Sequence, residues 1–201
     1  TACPAADLII DFSSDPGAAK AAIAARERGT PLLIATTALS EATKATIQEA
    51  AERAAVLVAA NTSIGANLLA DLAHRTAVAV ESGTDAAIIE SHHREKKDAP
   101  SGTALHLAAV LRGAGLPLAD DQILSIRGGD VPGEHLVRFA WEGEVVELRH
   151  AVTSRDVFAT GALRAGRWLV KQPPGWYMMK DLLAGLRQPS GGASTSERRA
   201  D

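Results

Sequence analysis

Through the first sixty residues short apolar runs alternate with alanine-rich stretches, and this alternation restricts the fold more than any other feature of the chain. Leu8-Ile9-Ile10-Asp11-Phe12, Leu32-Leu33-Ile34 within Pro31 to Thr37, and Ala54 to Ala60 are each too short for a helix and too uniformly apolar for a strand with one wet face. They read as strands buried on both sides, which is the habit of a parallel sheet. Parallel strands need crossovers, and the intervening segments supply them. Ser13-Ser14-Asp15-Pro16 offers cap residues and a first-turn proline ahead of a helix from Ala18 to Arg28, which Gly29 ends. Ser40 caps a second helix running to about Arg53.

Beyond residue 63 the pattern changes. A helix from Ser63 to about Val80 carries Leu68, Leu69, Leu72, Ala73 and Ala77 at helical spacing, and a strand follows from Ala86 to Ser91. After a helix from Thr103 to Leu111 come three β-rich runs, Ile123 to Ile126, Leu136 to Trp141 and Val145 to Val152, with a tight turn at Gly143. Consecutive strands imply an antiparallel or mixed sheet. Ser154 is expected to cap a helix from Arg155 to about Lys171, with Phe158, Leu163 and Leu169 on its apolar side. Pro173-Pro174-Gly175 breaks that helix, and Tyr177 to Leu186 forms a short closing piece. The fold class is therefore α/β: an incomplete Rossmann-like parallel sheet (residues 1–63 and 164–187) plus an α+β unit with a mixed sheet (residues 64–163). Residues 188–201 are too polar to bury and are expected to be disordered.

The 201 residues are 46% apolar, enough for a core, and the formal net charge of -3 leaves no footprint for nucleic acid or an anionic membrane. No apolar run approaches the roughly 20 residues of a membrane span. Cys3, the single cysteine, permits no internal disulfide and fits a reducing, cytoplasmic setting.

The chemistry concentrates in Glu90-Ser91-His92-His93-Arg94-Glu95-Lys96-Lys97-Asp98-Ala99-Pro100-Ser101-Gly102-Thr103-Ala104. Two histidines end a strand, a cationic loop follows, and Pro-Ser-Gly-Thr opens a helix whose free N–H groups can grip an anion. Imidazoles exchange protons near neutral pH and lysines neutralise charge. The combination points to a small, multiply anionic substrate that is protonated during reaction. Adjacent histidines without a third ligand at a recognised spacing make a poor metal site, so no metal is expected.

This stretch resembles the signature of the dihydrodipicolinate reductase family, E-x-H-H-x-x-K-x-D-A-P-S-G-T-A, and meets every fixed position of it. Arg127 to His135 and Thr153 to Arg164 resemble later family segments, so the likeness runs from Leu8 to Leu183. The resemblance implies reduction of a cyclic imine dicarboxylate, 4-hydroxy-tetrahydrodipicolinate, to tetrahydrodipicolinate in diaminopimelate and lysine biosynthesis. NADH or NADPH would be the reductant and a homotetramer the assembly. It makes His92 and Lys96 the catalytic pair, one as proton donor and one as charge stabiliser. His93, Ser101, Gly102 and Thr103 would hold the substrate carboxylates, with Arg164 a further candidate. The strand ends Asp11-Phe12-Ser13, Ala35-Thr36-Thr37-Ala38 and Ala60-Asn61 match family positions that line the dinucleotide's ribose and nicotinamide. That makes Phe12, Thr36, Thr37, Ala60 and Asn61 cofactor contacts. Ala35 and Ala38 stand where the family has glycines, which would cost on the order of 1 kcal/mol wherever the backbone needs positive φ.

The family also carries a G-x-x-G-x-M-G turn that cradles the cofactor pyrophosphate, and no stretch of this sequence has it. Gly128-Gly129 precedes a proline and a strand, and Gly191-Gly192 lies in the tail. Two readings stand. The chain is a piece of a longer reductase, or it is a dicarboxylate-binding remnant that lacks usable cofactor affinity.

Overall fold

The computed structural model describes residues 6–187. Cys3 and the tail at 188–201 lie outside the described residues. Strands β1 (Ile9–Asp11), β2 (Leu32–Ile34) and β3 (Ala55–Val58) alternate with helices α1 (Asp15–Arg28) and α2 (Glu41–Ala51). They form a parallel sheet in which Ile10 pairs with Leu33 and Leu33 with Leu57. Its order is β1-β2-β3-β8, where β8 (Gly175–Tyr177) pairs parallel with β3 through Trp176 and Val56. A strand thus begins at Gly175, in the expected break, and ends at Tyr177, the expected start of the closing piece. Three residues led by glycine have no alternation to reveal it, and only the partner strand selects the extended form.

Helices cover both faces of this sheet. Ala18, Ala22 and Ala25 of α1 and Ile47 and Ala50 of α2 pack on Leu32, Ile34 and Val56. On the other face α5 (Asp156–Leu169) and α6 (Met179–Arg187) bring Ala162, Ala165, Leu169 and Leu182 against Leu33, Ala55 and Leu57. Fully burying a leucine or isoleucine contributes roughly 1.5–3 kcal/mol, and these strands bury every one they carry from Leu32 to Ile34. Two expectations for α5 need correction. Arg155 rather than Ser154 is its N-cap, although Ser154 Oγ accepts from the Asp156 N–H at 3.2 Å. Leu163 is exposed, because the side facing the sheet is built from Gly161, Ala162, Ala165, Gly166 and Leu169.

The second sheet is mixed, in the order β5-β4-β6-β7. β4 (Asp85–His92) runs parallel to β5 (Ile123–Arg127) and antiparallel to β6 (Gly133–Trp141), which pairs with β7 (Glu144–Val152). Its inner face, with Ile88, Ile123, Val137 and Phe139, packs on α3 (Ile64–Ala79) and α4 (Gly102–Gly113) through Leu69, Ala73, Leu107 and Leu111. Among the described residues no helix covers the opposite face, and Leu124 and Ile126 stay about half exposed there (50% and 53%). No helix among the described residues is long and apolar enough to cross a membrane.

Candidate active site

Side chains on a strand alternate, so Glu90 and His92, two apart on β4, project from one face. That face is the inner one, and Glu90 is fully buried. An ionised carboxylate survives there only with its lone pairs filled. Arg127, the last residue of neighbouring β5, donates to both oxygens, Nη2 to Oε1 at 2.6 Å and Nη1 to Oε2 at 2.9 Å. The Ser101 N–H at the mouth of α4 donates to Oε1 at 3.2 Å, and His92 Nδ1 meets Oε2. Burial opposes ionisation of Glu90, yet hydrogen bonds from Arg127, Ser125 and His92 prevail and bring its carboxyl down to about 2.

The carboxylate fixes His92 with Nδ1 as the donor and leaves Nε2 for chemistry. The ring lies over Gly133, where a β-carbon would stand 2.9 Å from Nε2, and edge-on to His135 with centroids 5.2 Å apart. Burial lowers the His92 pKa below the ordinary value, against the pull of Glu90, so the free imidazole is neutral at neutral pH.

His93 falls just past the end of β4, and its Nε2 accepts from Arg155 Nη2 at 3.0 Å. Lys96 pairs with Asp98 at 2.9 Å and holds that carboxyl below its usual range. Ser101 caps α4, its Oγ accepting from the Ala104 N–H at 3.2 Å, and Gly102 leaves the helix mouth open, with nothing within 4 Å of where a β-carbon would be.

At the carboxyl edge of the parallel sheet, buried Asp11 takes the hydroxyls of Ser13 and Thr36, and Thr36 Oγ1 accepts from the Ser13 N–H at 2.9 Å. The first two strand ends are tied by this knot. Phe12 is 55% exposed, and Thr37 and Ala60 are exposed beside their strand ends. Asn61 joins the two halves: its Nδ2 donates to Thr103 Oγ1 at 3.1 Å while its Oδ1 accepts from the Ser63 N–H at 2.9 Å. Arg164 is exposed on α5 and shares no hydrogen bond or ion pair with this group among the described residues.

A family model described as "Dihydrodipicolinate reductase, N-terminus" matches residues 1–62, and one described as "Dihydrodipicolinate reductase, C-terminus" matches residues 65–183. The chain belongs to the dihydrodipicolinate reductase family. Among its relatives, the 4-hydroxy-tetrahydrodipicolinate reductase of Zymomonas mobilis is 44% identical over 197 residues, covering 89% of this chain and 78% of that protein. That of Xanthomonas axonopodis pv. citri is 44% identical over 180 residues, covering 90% and 74%. A solved, dipicolinate-bound dihydrodipicolinate reductase from Paenisporosarcina sp. TG-14 has a TM-score of 0.73 over 86% of this chain and 71% of its own. At 23% identity, that likeness is one of fold.

Within the reductase family signature, Glu90 has a position but its partners were hidden. Its spacing from His92 is a readable sign that the two share a face. Arg127, Arg155 and His135 reach the site from other elements; all three lie in the later segments that resemble the family, but that likeness gives none of them a partner. Of the two alanines at family glycine positions, only Ala38 adopts positive φ (54°).

Proposed function

We propose that this chain catalyses the NAD(P)H-dependent reduction of 4-hydroxy-tetrahydrodipicolinate to tetrahydrodipicolinate, a cytoplasmic step of diaminopimelate and lysine biosynthesis. The Asn61–Thr103 hydrogen bond carries the reading, because it brings the edge where a dinucleotide would lie against the helix mouth suited to a carboxylate. The residues present fit the sugar and nicotinamide end of such a cofactor. Phe12 offers an exposed ring, and Thr37, Ala60 and Asn61 offer small or polar neighbours at the same edge. When bound, the cofactor supplies the hydride.

The chain's own residues then have three tasks. The open N–H groups of α4, with Ser101, Gly102, Thr103 and His93, receive the carboxylates, and Arg164 is a further ligand for them. Lys96 balances negative charge beside them. His92 takes a proton at Nε2 when the dianion enters and passes it to the substrate, with Glu90 stabilising the imidazolium. In this reading the parallel sheet with its helices serves the cofactor and the mixed sheet serves the substrate. The uncovered face of the mixed sheet, with Leu124, Ile126 and Val145, pairs with copies of itself in a homotetramer.

Titration of the purified chain with NADH and with NADPH, with and without pyridine-2,6-dicarboxylate, tests the assignment. Micromolar binding of a reduced cofactor, tightened by the dicarboxylate, is the expected result. Dicarboxylate binding without any cofactor affinity would reduce the chain to a substrate-binding remnant.

A further inference from the structure

We propose that His135 is a positioning residue that turns the Ser101 hydroxyl outward, so that Ser101 donates its one proton to a substrate carboxylate. His135 sits on β6, only 4% exposed, with Nε2 3.1 Å from Ser101 Oγ. Its Nδ1 is buried and has no hydrogen-bond partner among the described residues. Ser101 Oγ already accepts one hydrogen bond, from the Ala104 N–H at 3.2 Å.

Two neutral tautomers are available, and their consequences differ. With the proton on Nδ1, a buried N–H would point at nothing, which folded proteins rarely tolerate. Ser101 would also spend its only proton on His135 and offer a ligand nothing. With the proton on Nε2, His135 donates to Oγ, and the unpartnered group is a lone pair, which is tolerated better. Both lone pairs of Oγ are then filled, by the Ala104 and His135 N–H groups, and the hydroxyl proton must point elsewhere. The α4 mouth is what remains. A charged His135 is disfavoured, since burial and the neighbouring His92 bring its pKa down to about 4.

The consequence for substrate rests on the dicarboxylate reading above, whereas the tautomer does not. Two measurements on the full chain therefore test the inference separately. The first is the ¹⁵N spectrum of the histidine rings in the ligand-free protein at neutral pH, assigned by difference with His135→Gln. Proton-bearing Nε2 and bare Nδ1 are expected, and the opposite tautomer overturns the inference. The second is calorimetric titration with pyridine-2,6-dicarboxylate. Ser101→Ala and His135→Leu are each expected to weaken binding roughly tenfold, as for loss of one hydrogen bond to a charged group. The double variant should be no weaker than the worse single one, and His135→Gln, whose amide N–H can replace Nε2–H, should restore most of the affinity. Additive losses, or a Gln variant as weak as the Leu variant, overturn the inference. If the unmodified chain fails to bind the dicarboxylate, the substrate reading falls and the ring-nitrogen result alone decides the role of His135.

Discussion

Glu90 shows how one buried charge can organise a site. Its oxygens are held by Arg127 and the Ser101 N–H, so the carboxylate cannot rotate away from His92. Glu90→Gln would keep the shape and remove the charge. With Glu90 no longer raising it, the His92 pKa falls further, and the limb of the kcat/KM profile that requires a protonated His92 moves to lower pH. A fall in kcat of roughly a hundredfold is expected, within the range for a general acid, with KM changed much less. Urea unfolding should show a loss on the order of 3 kcal/mol from the stranded Arg127. Ala38 behaves oppositely. It stands at φ 54°, where a β-carbon is strained, and Ala38→Gly should raise stability by about 1 kcal/mol, read as a higher urea midpoint at unchanged slope.

At the scale of elements, α5 docks on the loop after β3 with almost no tolerance. A β-carbon on Gly161 would stand 2.0 Å from the Thr62 carbonyl oxygen, and Thr62 Oγ1 donates to the Phe158 carbonyl at 2.7 Å. Gly161→Ala is therefore expected to lower stability by about 1–3 kcal/mol, and, because Asn61 is on the displaced loop, to weaken nucleotide binding as well. Elements of this kind were unevenly legible beforehand. The first three strands announce themselves because a parallel strand must be apolar on both faces. α5 was visible as a helix, but its buried side is made of glycine and alanine, so the larger Leu163 pointed to the wrong face. β8 has no signal of its own. At the site, the His-His, Lys and Ser-Gly-Thr positions could be read from one stretch, whereas Arg127 pairs with Glu90 across 37 residues of chain. Only the register of β4 with β5 brings them together.

For the whole molecule, the buried ionisable groups determine how acid acts on it. His135 titrates at about 4 in the fold against 6.5 ordinarily, so between those values the unfolded chain holds a proton that the native one does not. Stability is therefore lost as pH falls through that window. Glu90, at about 2 against 4.5, extends the loss across the lower window. Urea midpoints measured from pH 7 down to 3 should decline throughout, and His135→Gln should flatten the part above pH 4. A curve unchanged by that substitution would assign the upper loss to His92, His106 and His150, which burial shifts in the same direction.

Asn61 spends one of its two amide N–H groups on Thr103, while its side-chain oxygen accepts from the Ser63 N–H. A guest on the parallel sheet that draws this Nδ2–H away releases a bond to the neighbouring unit, and a guest at the α4 mouth that displaces Thr103 Oγ1 breaks the same bond from the other side. Two guests that both act on this bond share its free energy. By reciprocity, whatever factor the dicarboxylate applies to nucleotide affinity, the nucleotide applies equally to the dicarboxylate. Asn61→Ala should move that factor toward one.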